Sequence, residues 1–90
     1  MPYPVNAANL RACAAIFKSA NDAEKVPTEL LKVVGQAVAE ANLLPEGNIS
    51  EDLQAILNGM NDASVKSDTG IAECLGLFGA YFDLRARAER

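Results

Sequence analysis

Ninety residues, half of them apolar, with eight Lys and Arg against twelve Asp and Glu for a net charge of −4, describe one small folded domain rather than a disordered chain. The acidic balance repels phosphate backbones and anionic lipid, so direct nucleic-acid or membrane binding is not expected. With no His anywhere, a Cys/His zinc centre and a Cys–His nucleophile pair are excluded outright.

The chain opens on MPYPV, residues 1–5, where Pro2 and Pro4 impose an extended arm around Tyr3. Docking of that arm onto its own domain is expected over docking on a partner. The first nine residues lack the basic start and apolar core of a secretory signal. No apolar run reaches the ~18 residues of a spanning helix. A cytoplasmic location is the expectation.

Asn6 reads as an N-cap for a helix near 7–20. Leu10, Cys13, Ala14 and Phe17 fall on its inner face with Ile16 beside them, and Arg11 and Lys18 point to solvent. NDAEK, residues 21–25, is turn chemistry. Pro27 then suits the start of a second helix near 28–42, with Glu29 placed where it complements the helix dipole. Its apolar set (Leu30, Leu31, Val33, Val34, Ala37, Val38, Ala41) is wide enough for two neighbours. Gly35 inside it costs about 1 kcal/mol against Ala, and a close backbone crossing is the expected reason.

LLPEGN, residues 43–48, is a break. Ser50 reads as the N-cap of a third helix near 51–60, with Ile49 as a hydrophobic staple and Glu51 and Asp52 in the acid-favouring first turn. Leu53, Ile56, Leu57 and Met60 face inward. NDASVKSD, residues 61–68, is read as a loop with Val65 turned inward and Ser67 or Asp68 capping the final helix.

That last helix, near 69–88, carries two of the three Phe and one of the two Tyr, so it is expected to be the element onto which the others pack. Its apolar residues cover two faces. Ile71, Leu75, Phe78 and Phe82 are assigned to the bundle. Cys74, Leu77, Tyr81 and Leu84, flanked by Arg85 and other arginines, are the surplus expected to meet a partner or a second copy. Gly76 and Gly79, with Ala72 and Ala80, form a small edge expected to admit a neighbouring helix closely. The fold class is therefore all-α: a single domain over 1–90, a compact four-helix bundle with short loops.

Chemistry is sparse. Cys13 and Cys74 read as two buried thiols acting as small hydrophobes, with a bridge between first and last helices open if the compartment is oxidising. Asp62, Asp68, Ser64 and Ser67 lack the ligand spacing of a calcium loop. Gly-rich phosphate loops, a nucleophile elbow and a dinucleotide fingerprint are absent. No cofactor, metal or enzymatic activity is expected.

Between Glu40 and Glu73 stand seven acids and one base, Lys66. Helix-end charge and solubility account for much of this. Glu46, Glu51 and Asp52 are nonetheless candidate contacts for a basic partner surface. The expected function is protein–protein interaction. It takes the form of a homodimer, or of an adaptor or inhibitor of a larger partner, such as a phage-type protein occupying nucleic-acid-binding machinery. The candidate binding residues are Leu77, Tyr81, Leu84, Arg85, Glu46, Glu51 and Asp52. A small-molecule-binding or sensory helical domain is the alternative.

Overall fold

In the computed structural model, which describes residues 3–22, 24, 26–60 and 68–88 (backbone only for Met60, Asp68 and Thr69), four α-helices succeed one another. They are α1 (Ala7–Asp22), α2 (Thr28–Glu40), α3 (Glu51–Met60) and α4 (Asp68–Ala88), with a 3-10 turn, Ala41–Leu43, closing α2. The radius of gyration, 12.7 Å, is close to the ~12 Å of a folded chain of this length. The all-α bundle expected from the sequence is what forms. Of the loop read over 61–68, residues 61–67, with Val65 and Ser67, lie outside the described residues, as does Pro2, and Asp68 is the first residue of α4.

The helix starts are local chemistry. The Asn9 N–H donates to Asn6 Oδ1 at 2.8 Å and the Leu53 N–H to Ser50 Oγ at 3.3 Å, each satisfying an otherwise orphaned first-turn donor. Pro27 stands immediately before α2 in extended geometry (φ −61°, ψ 140°). Its carbonyl accepts from the N–H groups of Leu30 and Leu31. After α1 the chain turns through Glu24 at φ 59°, a left-handed residue of the kind that ends helices. The staple at Ile49 does not form. Its partner position four residues into α3 is the polar Gln54, so Ile49 stays exposed.

The hub of the bundle is α1, not α4. It packs against α2, α3 and α4, whereas α4 meets α1 and, more lightly, α2. Ala7, Leu10, Ala12, Cys13, Ile16, Phe17 and Ala20 of α1 are all buried. Small side chains explain the reversal: alanines on several sides let three helices approach one axis, while a helix bearing large rings fills the space around one seam. That seam is marked by Phe17 and Phe78, whose ring centroids lie 5.6 Å apart at 52°. On α4 the buried set is Cys74, Leu77, Phe78 and Tyr81, one stripe at 3-4 spacing.

The glycine expectations are overturned. Gly35, Gly76 and Gly79 are exposed, and a Cβ at any of them would meet nothing within 4 Å. Only one stripe of α2 (Val34, Ala37, then Ala41) is fully buried, and Gly35 falls outside it. The Ala72–Gly76–Gly79 edge of α4 likewise faces away from the seam.

The arm docks at home. Tyr3 is buried, and its hydroxyl donates to the Glu73 carboxylate on α4. Behind it sits Asn9, fully buried on α1. Its Nδ2 donates to the Pro4 carbonyl at 2.9 Å and its Oδ1 accepts from the Ser50 N–H at 3.0 Å. The Ala7 N–H donates to the Pro45 carbonyl at 3.1 Å. One polar side chain thus ties the arm, α1 and the start of α3 together.

Candidate protein-docking groove

Where the C-terminal half of α4 passes the turn after α2, it leaves a hollow of about 310 Å³ lined by Leu43, Leu44, Tyr81, Leu84, Arg85 and Ala88. The turn makes it. After Glu40 the helix tightens into the 3-10 turn and Leu44 turns extended (φ −96°, ψ 157°), which throws the Leu43 side chain outward, 89% exposed. Leu84 faces the hollow from α4, 50% exposed. Burial of a leucine is worth about 1.5–3 kcal/mol, so the two together represent substantial unspent apolar surface.

A polar clasp fixes the floor. Glu40 ends α2, where a carboxylate meets the negative pole of its own helix dipole. Two groups of α4 compensate: the Tyr81 hydroxyl donates to Glu40 Oε2 at 2.8 Å, and Arg85 Nη1 approaches the same oxygen at 2.9 Å. Burial, then the bond to Glu40 and its charge, push the Tyr81 phenol above its ordinary range, and Arg85 partly offsets this. The ion pair itself is partly exposed, so it contributes little to stability. Its effect is positional: it ties the end of α2 to α4 beside the hollow and pairs the charge of the lining Arg85.

The candidate residues divide under this geometry. Tyr81, Leu84 and Arg85 are brought together in the groove. Leu77 is 2% exposed and Tyr81 5%, so a partner face through both does not exist on this surface. Leu77 is core, and Tyr81 offers only its edge to the hollow. At 3.6 residues per turn, Cys74, Phe78 and Tyr81 lie near one line, while Leu75 and Leu84 lie about 80–100° to either side of it. Leu75, assigned to the bundle by its spacing, is accordingly 43% exposed. Ile71 and Phe82 are half-buried flanks. Summed hydrophobicity found the helix but not the centre of its buried stripe.

The acidic candidates line no part of the groove. Glu46 is exposed and pairs at 3.5 Å with Arg11 of α1, which also donates to Asn42 Oδ1 at 3.4 Å. Glu51 and Asp52 are exposed in the first turn of α3, where the helix dipole favours them. Leu43 and Leu44, which the sequence presents as part of a polar break, are the residues that reading missed. The signal was there: Leu44, directly before Pro45, is pushed out of the helical region, so the chain leaves the axis of α2 at this point and Leu43 cannot be assigned to its buried stripe.

Among the described residues no His/Cys/Asp/Glu group is placed to hold a metal ion, and no helix is long and apolar enough to cross a membrane. No protein-family model matches the chain, and neither a curated protein nor a solved structure is significantly similar to it.

Proposed function

We propose that this chain acts by protein–protein interaction through the groove beside Leu43, and that its first occupant is a second copy of itself. The observation that carries the reading is a knob next to a hole. Leu43 protrudes at the rim of a hollow larger than a leucine side chain, so a twofold axis beside it would place each copy's Leu43 in the other's groove. An isologous contact of this kind needs only one self-complementary patch. Among the described residues, Glu40 and Arg85 beside the hollow are already paired with each other, so neither meets its own image as a bare charge.

Magnitudes set the affinity. Covering two copies of Leu43 and of half-exposed Leu84 yields roughly 5–9 kcal/mol, against an association cost of about 4 kcal/mol or more. The pairing is therefore weak and concentration-dependent, about 0.2 mM at the favourable end of those figures and weaker below it unless flanking contacts add to it. Light scattering after size exclusion, across a concentration series, is the test. Wild type should move toward dimer at high micromolar concentration. Leu43→Asp should remain monomeric with an unchanged helical spectrum. A strict monomer throughout would overturn the reading.

Two other readings keep one observation each. Glu46, Glu51 and Asp52 are all exposed, which suits an adaptor or inhibitor of a partner with a basic surface; their joint reversal to Lys should then abolish capture of that partner. The hollow's volume lies at the small end of the range for ligand sites. A rise in melting temperature with a small apolar probe, lost in Leu84→Asp, would favour the small-molecule alternative.

A further inference from the structure

Sixty-one positions apart in the chain, Cys13 of α1 and Cys74 of α4 meet in the core. Both are fully buried free thiols of one core cluster, carried by helices that pack against each other. Each stands four residues before a phenylalanine of the same seam, Cys13 before Phe17 and Cys74 before Phe78, and those rings are themselves in contact. The Asn9–Pro4 and Tyr3–Glu73 bonds bring the start of α1 beside Glu73, and the ring contact brings Phe17 beside Phe78, so the two cysteines fall between the same two fixed points. We propose that Cys13 and Cys74 are a latent disulfide that bridges the first and last helices when the chain meets a low-molecular-weight disulfide such as oxidised glutathione.

A disulfide needs the two sulfurs at roughly 2 Å, and these two fixed points hold α1 and α4 in register while the bridge closes. The exchange balances in two displacements. One protein thiolate attacks a sulfur of oxidised glutathione, forming a mixed disulfide and releasing one glutathione thiolate. The second protein thiolate then attacks the protein sulfur of that mixed disulfide, forming the Cys13–Cys74 bond and releasing the second glutathione. Two electrons pass from the cysteine pair to the oxidant, and the two protons lost by the thiols are taken up by the departing glutathione thiolates and the buffer.

The closed fold restrains its own oxidation. The neighbouring Cys74 thiol, burial and the Glu73 carboxylate all hold the Cys13 thiol in its protonated form, and a thiol is a poor nucleophile. The bridge therefore forms while the chain folds, or when α1 and α4 part transiently. Once made it is shielded from reductant by the same burial. No part of this depends on the groove or on dimerisation.

The test uses the intact chain, folded and reduced, incubated with oxidised glutathione and followed by intact mass, free-thiol titration and thermal melting. The expected product is a monomer lighter by two hydrogens, with both thiols lost together and a melting temperature raised by roughly 10 °C or more. Cys13→Ser and Cys74→Ser should each fail to give that product. Retention of both thiols by a chain allowed to refold in the oxidant would overturn the proposal. So would an end product that is a glutathione adduct or a disulfide-linked dimer.

Discussion

A Cβ built at Gly47 would sit 2.7 Å from Asn6 Nδ2 and 3.0 Å from its Cγ. Asn6 cannot simply swing aside, because its Oδ1 caps α1. Gly47→Ala should therefore cost about 1 kcal/mol, the usual loss with an N-cap, seen as a lower urea midpoint. Gly35→Ala should move the midpoint the other way by about 0.5–1 kcal/mol, because the position is an open, exposed helix interior. Equal signs for the two substitutions would contradict the packing described. Both caps, Asn6 and Ser50, were legible in the sequence because a cap is a contact within three residues. The use of Gly47 was not, because the atom it accommodates is forty-one positions away. Asn9 was hidden for the opposite reason: a polar residue inside a helix reads as solvent-facing until its partners, Pro4 and Ser50, are known. Asn9→Ala removes both side-chain bonds and leaves a partly buried carbonyl and N–H behind. The expected loss is about 2–3 kcal/mol by chemical denaturation.

At the scale of elements, helical periodicity recovered four helices with boundaries within two residues, since each carries an apolar repeat and its own start signal. Ranking them failed. Bulk put α4 at the centre, yet Ala7, Ala12 and Ala20 give α1 its three neighbours, and a small side chain leaves little trace in a hydrophobicity pattern. The straps between elements also escaped notice. Tyr3 on Glu73 and Tyr81 on Glu40 each join a phenol to a carboxylate from a distant element. Both phenols are held above their ordinary range, first by burial and then by the carboxylate. A raised value in the folded state means the native protein holds those protons more tightly than the unfolded chain. Their contribution is thus complete below about pH 10 and lost as pH climbs beyond it. Cys13, raised for similar reasons, begins the same trend from about pH 8.5. Urea midpoints taken from neutral to strongly alkaline pH should decline progressively over that span. In Tyr81→Phe the decline should be shallower, from a starting stability about 1 kcal/mol lower. A midpoint unchanged up to pH 11 would contradict the two straps.

For the whole molecule, the organisation around α1 has a consequence for synthesis. The hub is made first and its lids later: α1 ends at Asp22, while α4, which covers the Cys13 and Phe17 side of it, ends at Ala88. At ~5–20 residues per second, roughly 3–13 s pass between the two. Throughout that interval Leu10, Ile16 and Phe17 have no partner helix on one side, and the Ser50 N–H that completes the knot at Asn9 arrives partway through. Native packing around α1 is therefore withheld until α4 has been made. In a translating system, a nascent chain arrested before residue 68 should be digested readily by protease, and extension through Ala88 should protect it. Exposed Arg11, Lys18 and Asp22 give the outer face of that waiting helix its charge.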